Sequence, residues 1–192
     1  SHIHGRCMDA VYPFLYMADK TGDEKYVEGA KLVMLWAENN VSQEDGAWTV
    51  IRNPKSWKGI TVFGAIALAE ALHYHGHVLD DETREAWTKR LERAGKYIHD
   101  TFTIDFTNIN YPGTAVYGLN LIGNVLERED FKAKSKGLAS EVKAYYEAHP
   151  PKGEIVIIIE GVQTKKVKNE KTVYIGFGLG NLLHRVVCNS AG

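Results

Sequence analysis

Apolar residues recur at helical spacing along most of this chain. Between residues 6 and 20, Val11, Phe14, Leu15 and Ala18 share one face, and Thr21-Gly22-Asp23 closes the segment. Pro13 predicts that this helix starts at Tyr12 or kinks there. A second helix is predicted over 23–39, with Tyr26, Ala30, Val33, Met34 and Ala37 on one face and acids at its positive end. A long polar loop follows over 40–58, rich in Gly, Pro, Asn and Trp. The stretch 60–75 is nearly all Ala, Gly, Leu and Ile, which predicts a helix buried all round. The next, 81–102, is charged and amphipathic. A loop over 103–111 leads to a small-residue helix at 112–127, and 131–146 is polar and Lys-rich on one side.

Three helices of small or apolar residues, beginning near Arg6, Ile60 and Pro112, each precede a more charged one. A repeat of about fifty residues is the signature of stacked helical hairpins. The predicted class is all-α, with the apolar helices as an inner wall and the amphipathic ones outside. The tail breaks the rhythm. Residues 154–160 (EIVIIIE) read as a strand, 165–173 as a basic loop or second strand, and 176–187 as the opening of a further inner helix. The expected organisation is therefore a helical part over 1–150, a strand or loop insertion over 151–175, and a truncated inner helix over 176–192. The start, Ser1-His2-Ile3-His4-Gly5, and the end, Ala191-Gly192, suggest a piece of a longer protein.

Charge and composition narrow the function. Among 192 residues, 23 Lys and Arg balance 24 Asp and Glu, for a formal net charge of −1. That lacks the basic excess needed to neutralise nucleic-acid phosphates. The apolar run 60–72 is interrupted by Gly64 and Glu70 and is too short to cross a bilayer. Cys7 and Cys188 permit at most one disulfide and match no zinc pattern. The histidines of His73-Tyr74-His75-Gly76-His77 lack carboxylates at a ligand spacing, so they read as a helix-end cluster contacting the last carbonyls. No metal or cofactor is expected.

In a stack of hairpins, the loops entering the inner helices share one rim. These loops carry His4, Arg6, Asp9 and Tyr12; then Trp48, Trp57 and Lys58; then Asn108, Asn110 and Tyr111. Tyr174-Ile175-Gly176-Phe177 would be a fourth. Aromatic faces, amides and a few cations are what a sugar cleft needs, since pyranose rings stack on aromatics and their hydroxyls seek polar partners. Each also has a plainer reading. Asn108 and Asn110 would shape a turn and cap a helix. Tyr111, before Pro112, would pack in extended chain. His4 would be a loose terminus, Arg6 and Asp9 a surface ion pair, and Trp48 and Trp57 a lid on the core.

The stretch Trp57-Lys58-Gly59-Ile60-Thr61-Val62-Phe63-Gly64, the Asn108-Ile109-Asn110-Tyr111 loop and the paired-helix rhythm resemble the six-hairpin (α/α) toroid proteins. The chain is most similar to those near the heparinase II/III-like and alginate-lyase-like polysaccharide lyases. The resemblance covers roughly residues 1–150 and implies about three to four of six hairpins. It implies β-elimination at a uronic acid, with a secreted or periplasmic setting. Asn108 would neutralise the substrate carboxylate and Arg6 assist it. Tyr111 would be base or acid, with His4 its rival, since Asn110-Tyr111 stands where a His is expected. Trp48, Trp57, Lys58, Asn110, Tyr12 and Asp9 would bind substrate. The expected partner is a polysaccharide or oligosaccharide, with no nucleic acid and no membrane span, and with self-association if the ring is incomplete. Two alternatives stay open. One is a glycoside hydrolase, needing two carboxylates roughly 5–9.5 Å apart, with Asp9, Asp45 and Asp105 available. The other is a non-catalytic module binding glycans or proteins.

Overall fold

The computed structural model describes residues 3–150 and the strand residues 172–173 and 186–187. A 3-10 turn, Gly5–Ala10, leads into α1 (Val11–Thr21). Then follow α2 (Glu24–Asn40), α3 (Thr61–His75), a 3-10 turn at Gly76–Val78, α4 (Asp81–Thr101), α5 (Asn110–Val125) and α6 (Glu129–Ala148). Among the described residues the regular structure is all-α, apart from one short antiparallel pair, Thr172–Val173 with Val186–Val187, and a single bridge between Ser42 and Trp48. The strand expected over 154–160, the fourth rim loop at 174–177 and Cys188 lie outside the described residues.

Local chemistry sets the helix boundaries. Residues 5–10 tighten into 3-10 geometry and α1 begins at Val11, so Pro13 falls in the first turn, where a missing N–H costs no helical bond. Gly22 ends α1 in the left-handed region with φ 68°. Asp23 caps α2, its carboxylate accepting the Lys25 N–H at 3.0 Å. Asp80 caps α4 doubly, accepting the Thr83 N–H at 2.7 Å and the Thr83 hydroxyl at 2.8 Å.

The chain forms two compact units, residues 1–144 and 145–192. In the first, α3 is central. It packs against α1 on one side and α5 on the other, so the three small-residue helices form one row. The charged helices lie behind them, α2 against α1 and α4 against α3 and α5. Ser135 of α6 donates to the Val116 carbonyl of α5 at 2.6 Å. Val62, Ala65, Leu68, Ala69 and Ala71 of α3 are fully or almost fully enclosed, as an inner helix requires. Each large side chain so buried contributes roughly 1.5–3 kcal/mol. In the second unit, Tyr145 stacks on His149 with ring centroids 4.5 Å apart.

Two polar clusters fix the rows. Arg90 of α4 is buried, its guanidinium 3.6 Å from the Trp48 ring centroid. It donates to Glu38 at 2.8 Å and to the Gly46 carbonyl at 2.9 Å. Trp48 donates its indole N–H to the same Glu38 oxygen at 2.9 Å. Charge, stacking and carbonyl contacts thus clamp the α2–α3 loop onto α4. The second cluster joins the C-terminal ends of α1 and α3. Asp19 holds the His75 Nδ1 at 3.1 Å on one oxygen and the His77 Nε2 at 2.8 Å on the other. The histidine cluster therefore serves a carboxylate from α1 instead of the last carbonyls of its own helix.

Candidate functional site

The N-terminal ends of α1, α3 and α5 carry three segments from distant parts of the chain, joined directly. The Gly5 N–H donates to the Val50 carbonyl at 2.7 Å, and the Val50 N–H to the Trp57 carbonyl at 3.1 Å. A Cβ at residue 5 would collide with the Thr49 carbonyl oxygen, so this contact needs glycine. Trp57 then reaches the third segment. Its indole N–H donates to the Tyr111 phenol oxygen at 3.2 Å, with the rings edge to face and centroids 5.4 Å apart.

A ladder of rings continues from this contact. Tyr111 meets Phe63 edge-on at 5.9 Å, and the Arg6 guanidinium lies 4.5 Å over the Phe63 ring. On the other side, Trp57 packs on Phe106 at 5.4 Å, and Phe106 stacks on the buried Phe102 at 4.2 Å. Arg6, Phe63, Tyr111, Trp57 and Phe106 are thus contiguous. Phe63 and Phe106 escaped the sequence reading as site residues. Phe63 lies within the Trp57-to-Gly64 stretch, but an isolated Phe in an apolar helix reads as core.

Arg6 is gripped from two sides besides. Its Nε donates to Asp9 at 2.7 Å, and its backbone N–H donates to the His4 Nδ1 at 3.1 Å. With Nδ1 accepting, a neutral His4 ring carries its hydrogen on Nε2. Burial pushes the Asp9 carboxyl up against the opposing pull of Arg6, and its Oδ1 is enclosed with no hydrogen-bond partner among the described residues. Burial likewise pushes up the thiol of Cys7.

Asn108 shapes the entry to α5. Its Oδ1 accepts the Asn110 N–H at 3.1 Å and its carbonyl accepts the Tyr111 N–H at 3.1 Å. The side chain is exposed, so the turn is made by the oxygen while the NH₂ group remains a donor toward solvent. Asn110 is exposed on the same turn. Lys58 is half-buried and paired with Asp45 at 2.6 Å.

Two expected binding residues lie elsewhere. Trp48 is fully enclosed and occupied by Arg90 and Glu38, so it belongs to the core. Its helix-free, Gly-rich surroundings resembled an exposed loop, yet α4 covers them. Tyr12 packs its ring 5.6 Å from His75, the last residue of α3, and so faces away from the rim. Burial and the nearby Glu70 push its phenol up. Of the acids a hydrolase would draw on, Asp9 and Asp45 are engaged by Arg6 and Lys58, and Asp105 is exposed.

A row of small-residue helices whose entry ends gather aromatic rings, amides and an arginine defines the architectural class, and comparison with known families is specific. Residues 1–190 match the ulvan lyase N-terminal domain, and the chain belongs to that family. It is 77% identical over 146 residues to a protein of Formosa agariphila called a broad-specificity ulvan lyase, an alignment covering 76% of this chain. The chain spans 23% of that relative's length. No solved structure matches the chain. Among the described residues, no helix is long and apolar enough to cross a membrane.

Proposed function

We propose that this domain serves a polysaccharide lyase that cleaves uronate-bearing chains by β-elimination, and that its two rows of helices form part of an (α/α) toroid. The observation that carries the reading is the junction of Arg6, Trp57 and Tyr111 at one rim, beside the exposed amide of Asn108. The name of the Formosa agariphila relative supports the same chemistry.

Elimination begins with a carbon acid. The proton on C5 of a uronate is removable only once the adjoining carboxylate is neutralised, because charge builds on that group in the transition state. The Asn108 amide and the Arg6 guanidinium are the donors for this task. Tyr111 takes the C5 proton as its phenolate, with the Trp57 N–H steadying the charge on that oxygen. The electron pair of that C–H bond becomes the C4=C5 double bond, and the C4–O bond breaks. The departing oxygen takes the proton that Tyr111 has just accepted, which restores the tyrosine for the next cycle.

Incubating the protein with uronate polymers and following the ultraviolet absorbance of the 4,5-unsaturated product tests the proposal. Absorbance growth in the wild type, lost in Asn108→Ala with helicity retained, is expected. No unsaturated product from any uronate polymer would overturn it.

A further inference from the structure

On the far side of the ring ladder from Arg6 lies a recess of about 460 Å³, between the 54–58 segment and Tyr97 and Phe106. Trp57, 41% exposed, forms one wall and Phe106 another. Its polar lining holds three donors beside the Ser56 hydroxyl. Lys55 and Lys58 stand at the 54–58 side, and Tyr97 comes from α4. The Tyr97 phenol is pushed up to about 12, chiefly by burial and then by Asp45, so it keeps its hydrogen at neutral pH. Lys58 is shared with Asp45, but Lys55 has no carboxylate within ion-pair distance among the described residues. Residues 50–60 hold Arg52, Lys55 and Lys58 and no acid at all. A chain with net charge near zero has thus placed two lysines beside an exposed indole, with Arg52 on the same short segment.

We infer that this recess is a subsite for a sugar residue bearing an anionic group, whose C–H face stacks on Trp57 while its carboxylate or sulfate ester meets Lys55 and Lys58. The inference rests on the polysaccharide reading above and extends it. Arg6 stands at one end of the ladder Arg6–Phe63–Tyr111–Trp57 and the lysines at the other. A polymer carrying charge on more than one residue engages both ends, with flat rings between them to stack on. An exposed lysine contributes attraction that salt screens, so the subsite selects among substrates more than it accelerates the reaction.

The test titrates the full chain with three probes: an oligoglucuronate, a sulfated neutral galactan oligosaccharide and the same oligosaccharide without sulfate. Binding is read by calorimetry and by tryptophan fluorescence. At least one acidic probe should bind more tightly than the neutral one, weaken as salt rises and quench fluorescence, the quench disappearing in Trp57→Phe. Response to the glucuronate arm assigns a carboxylate, and response to the sulfated arm a sulfate ester. Lys55→Ala should cost roughly five-fold in affinity for the acidic probe, the size of an exposed ion pair, and Lys55→Glu more. Neither should alter neutral-probe binding. Equal affinity for all three probes, or unchanged acidic binding in Lys55→Glu, would overturn the assignment. Lys55-dependent binding without unsaturated product would sink the lyase reading alone. Product formation indifferent to Lys55→Glu on every acidic substrate would sink this subsite alone.

Discussion

Trp57 and Tyr111 lie 54 residues apart in sequence, yet the indole N–H of one donates to the phenol oxygen of the other at 3.2 Å. The bond sets a donor on the phenol oxygen, where it both orients the ring and steadies negative charge. Tyr111→Phe should lower turnover on uronate polymers by roughly 10²–10⁴-fold, the range for loss of a general acid–base group. Trp57→Phe keeps a ring and loses only the hydrogen bond, so a smaller fall is expected. Initial rates of unsaturated-product formation compare the two, and equal small effects would remove Tyr111 from the chemistry.

Arg90 should matter to folding more than any other cation among the described residues. Its side chain is only 6% exposed, and it serves Glu38, the Gly46 carbonyl and the Trp48 face together. Arg90→Ala leaves Glu38 facing a vacated site and frees the α2–α3 loop. A loss of about 3–5 kcal/mol is expected, as for one partner of a buried pair, measured by urea unfolding. A loss below ~1 kcal/mol would mean the loop is held by other contacts.

Gly5→Ala tests the junction of the first two rim segments. The added methyl meets the Thr49 carbonyl, which belongs to rigid backbone, so the Gly5–Val50 bond must lengthen or break. Overpacking of this kind costs about 1–3 kcal/mol. Amide exchange at Gly5 and Val50 should accelerate in the variant, while that of α5 stays unchanged.

The acid limb of stability should depend on Asp80. The Thr83 N–H and hydroxyl, with Lys31 beyond them, hold its carboxyl far below the ordinary carboxylate range. A depressed acid contributes stability that is complete above the unfolded-state value and lost as pH falls through the folded one. Asp80→Ala should therefore lower the melting temperature at neutral pH and flatten its decline below about pH 4. Asp9 has the opposite sign. Its carboxyl is raised mainly by burial, so its ionisation costs stability as pH climbs from the ordinary value to the raised one. Melting curves of Asp80→Ala and Asp9→Asn between pH 2 and 6 should diverge accordingly.

Much of the helical frame was legible because period and residue size both act locally. The small residues of 60–75 announced an inner helix, and Asp23 and Asp80 stand as caps where short-range chemistry puts them. What escaped notice depended on contacts made across long loops. Arg90 looks like one more charge on a solvated face of α4, since nothing nearby in sequence says that residues 46–48 will cover it. Trp48 and Trp57 sit in the same polar loop and read alike, yet one is enclosed and the other open. Only the position of α4 decides between them. The partnership of His75 and His77 with Asp19 was hidden for the same reason, its acid lying 56 and 58 residues upstream.

The Asp19 fork has a mechanical consequence for the mouth at the opposite ends of these helices. With α1 and α3 pinned by two imidazoles at their tails and by the Gly5–Val50 bond at their heads, that side acts as a fixed jaw. Among the described residues, the turn carrying Asn108 and Tyr111 has no such backbone tie and meets the fixed side through the Trp57–Tyr111 hydrogen bond and ring faces. The body of α5 is itself held on α3 by the Tyr117–Glu70 hydrogen bond at 2.6 Å, so any give at this rim lies in the entry turn alone.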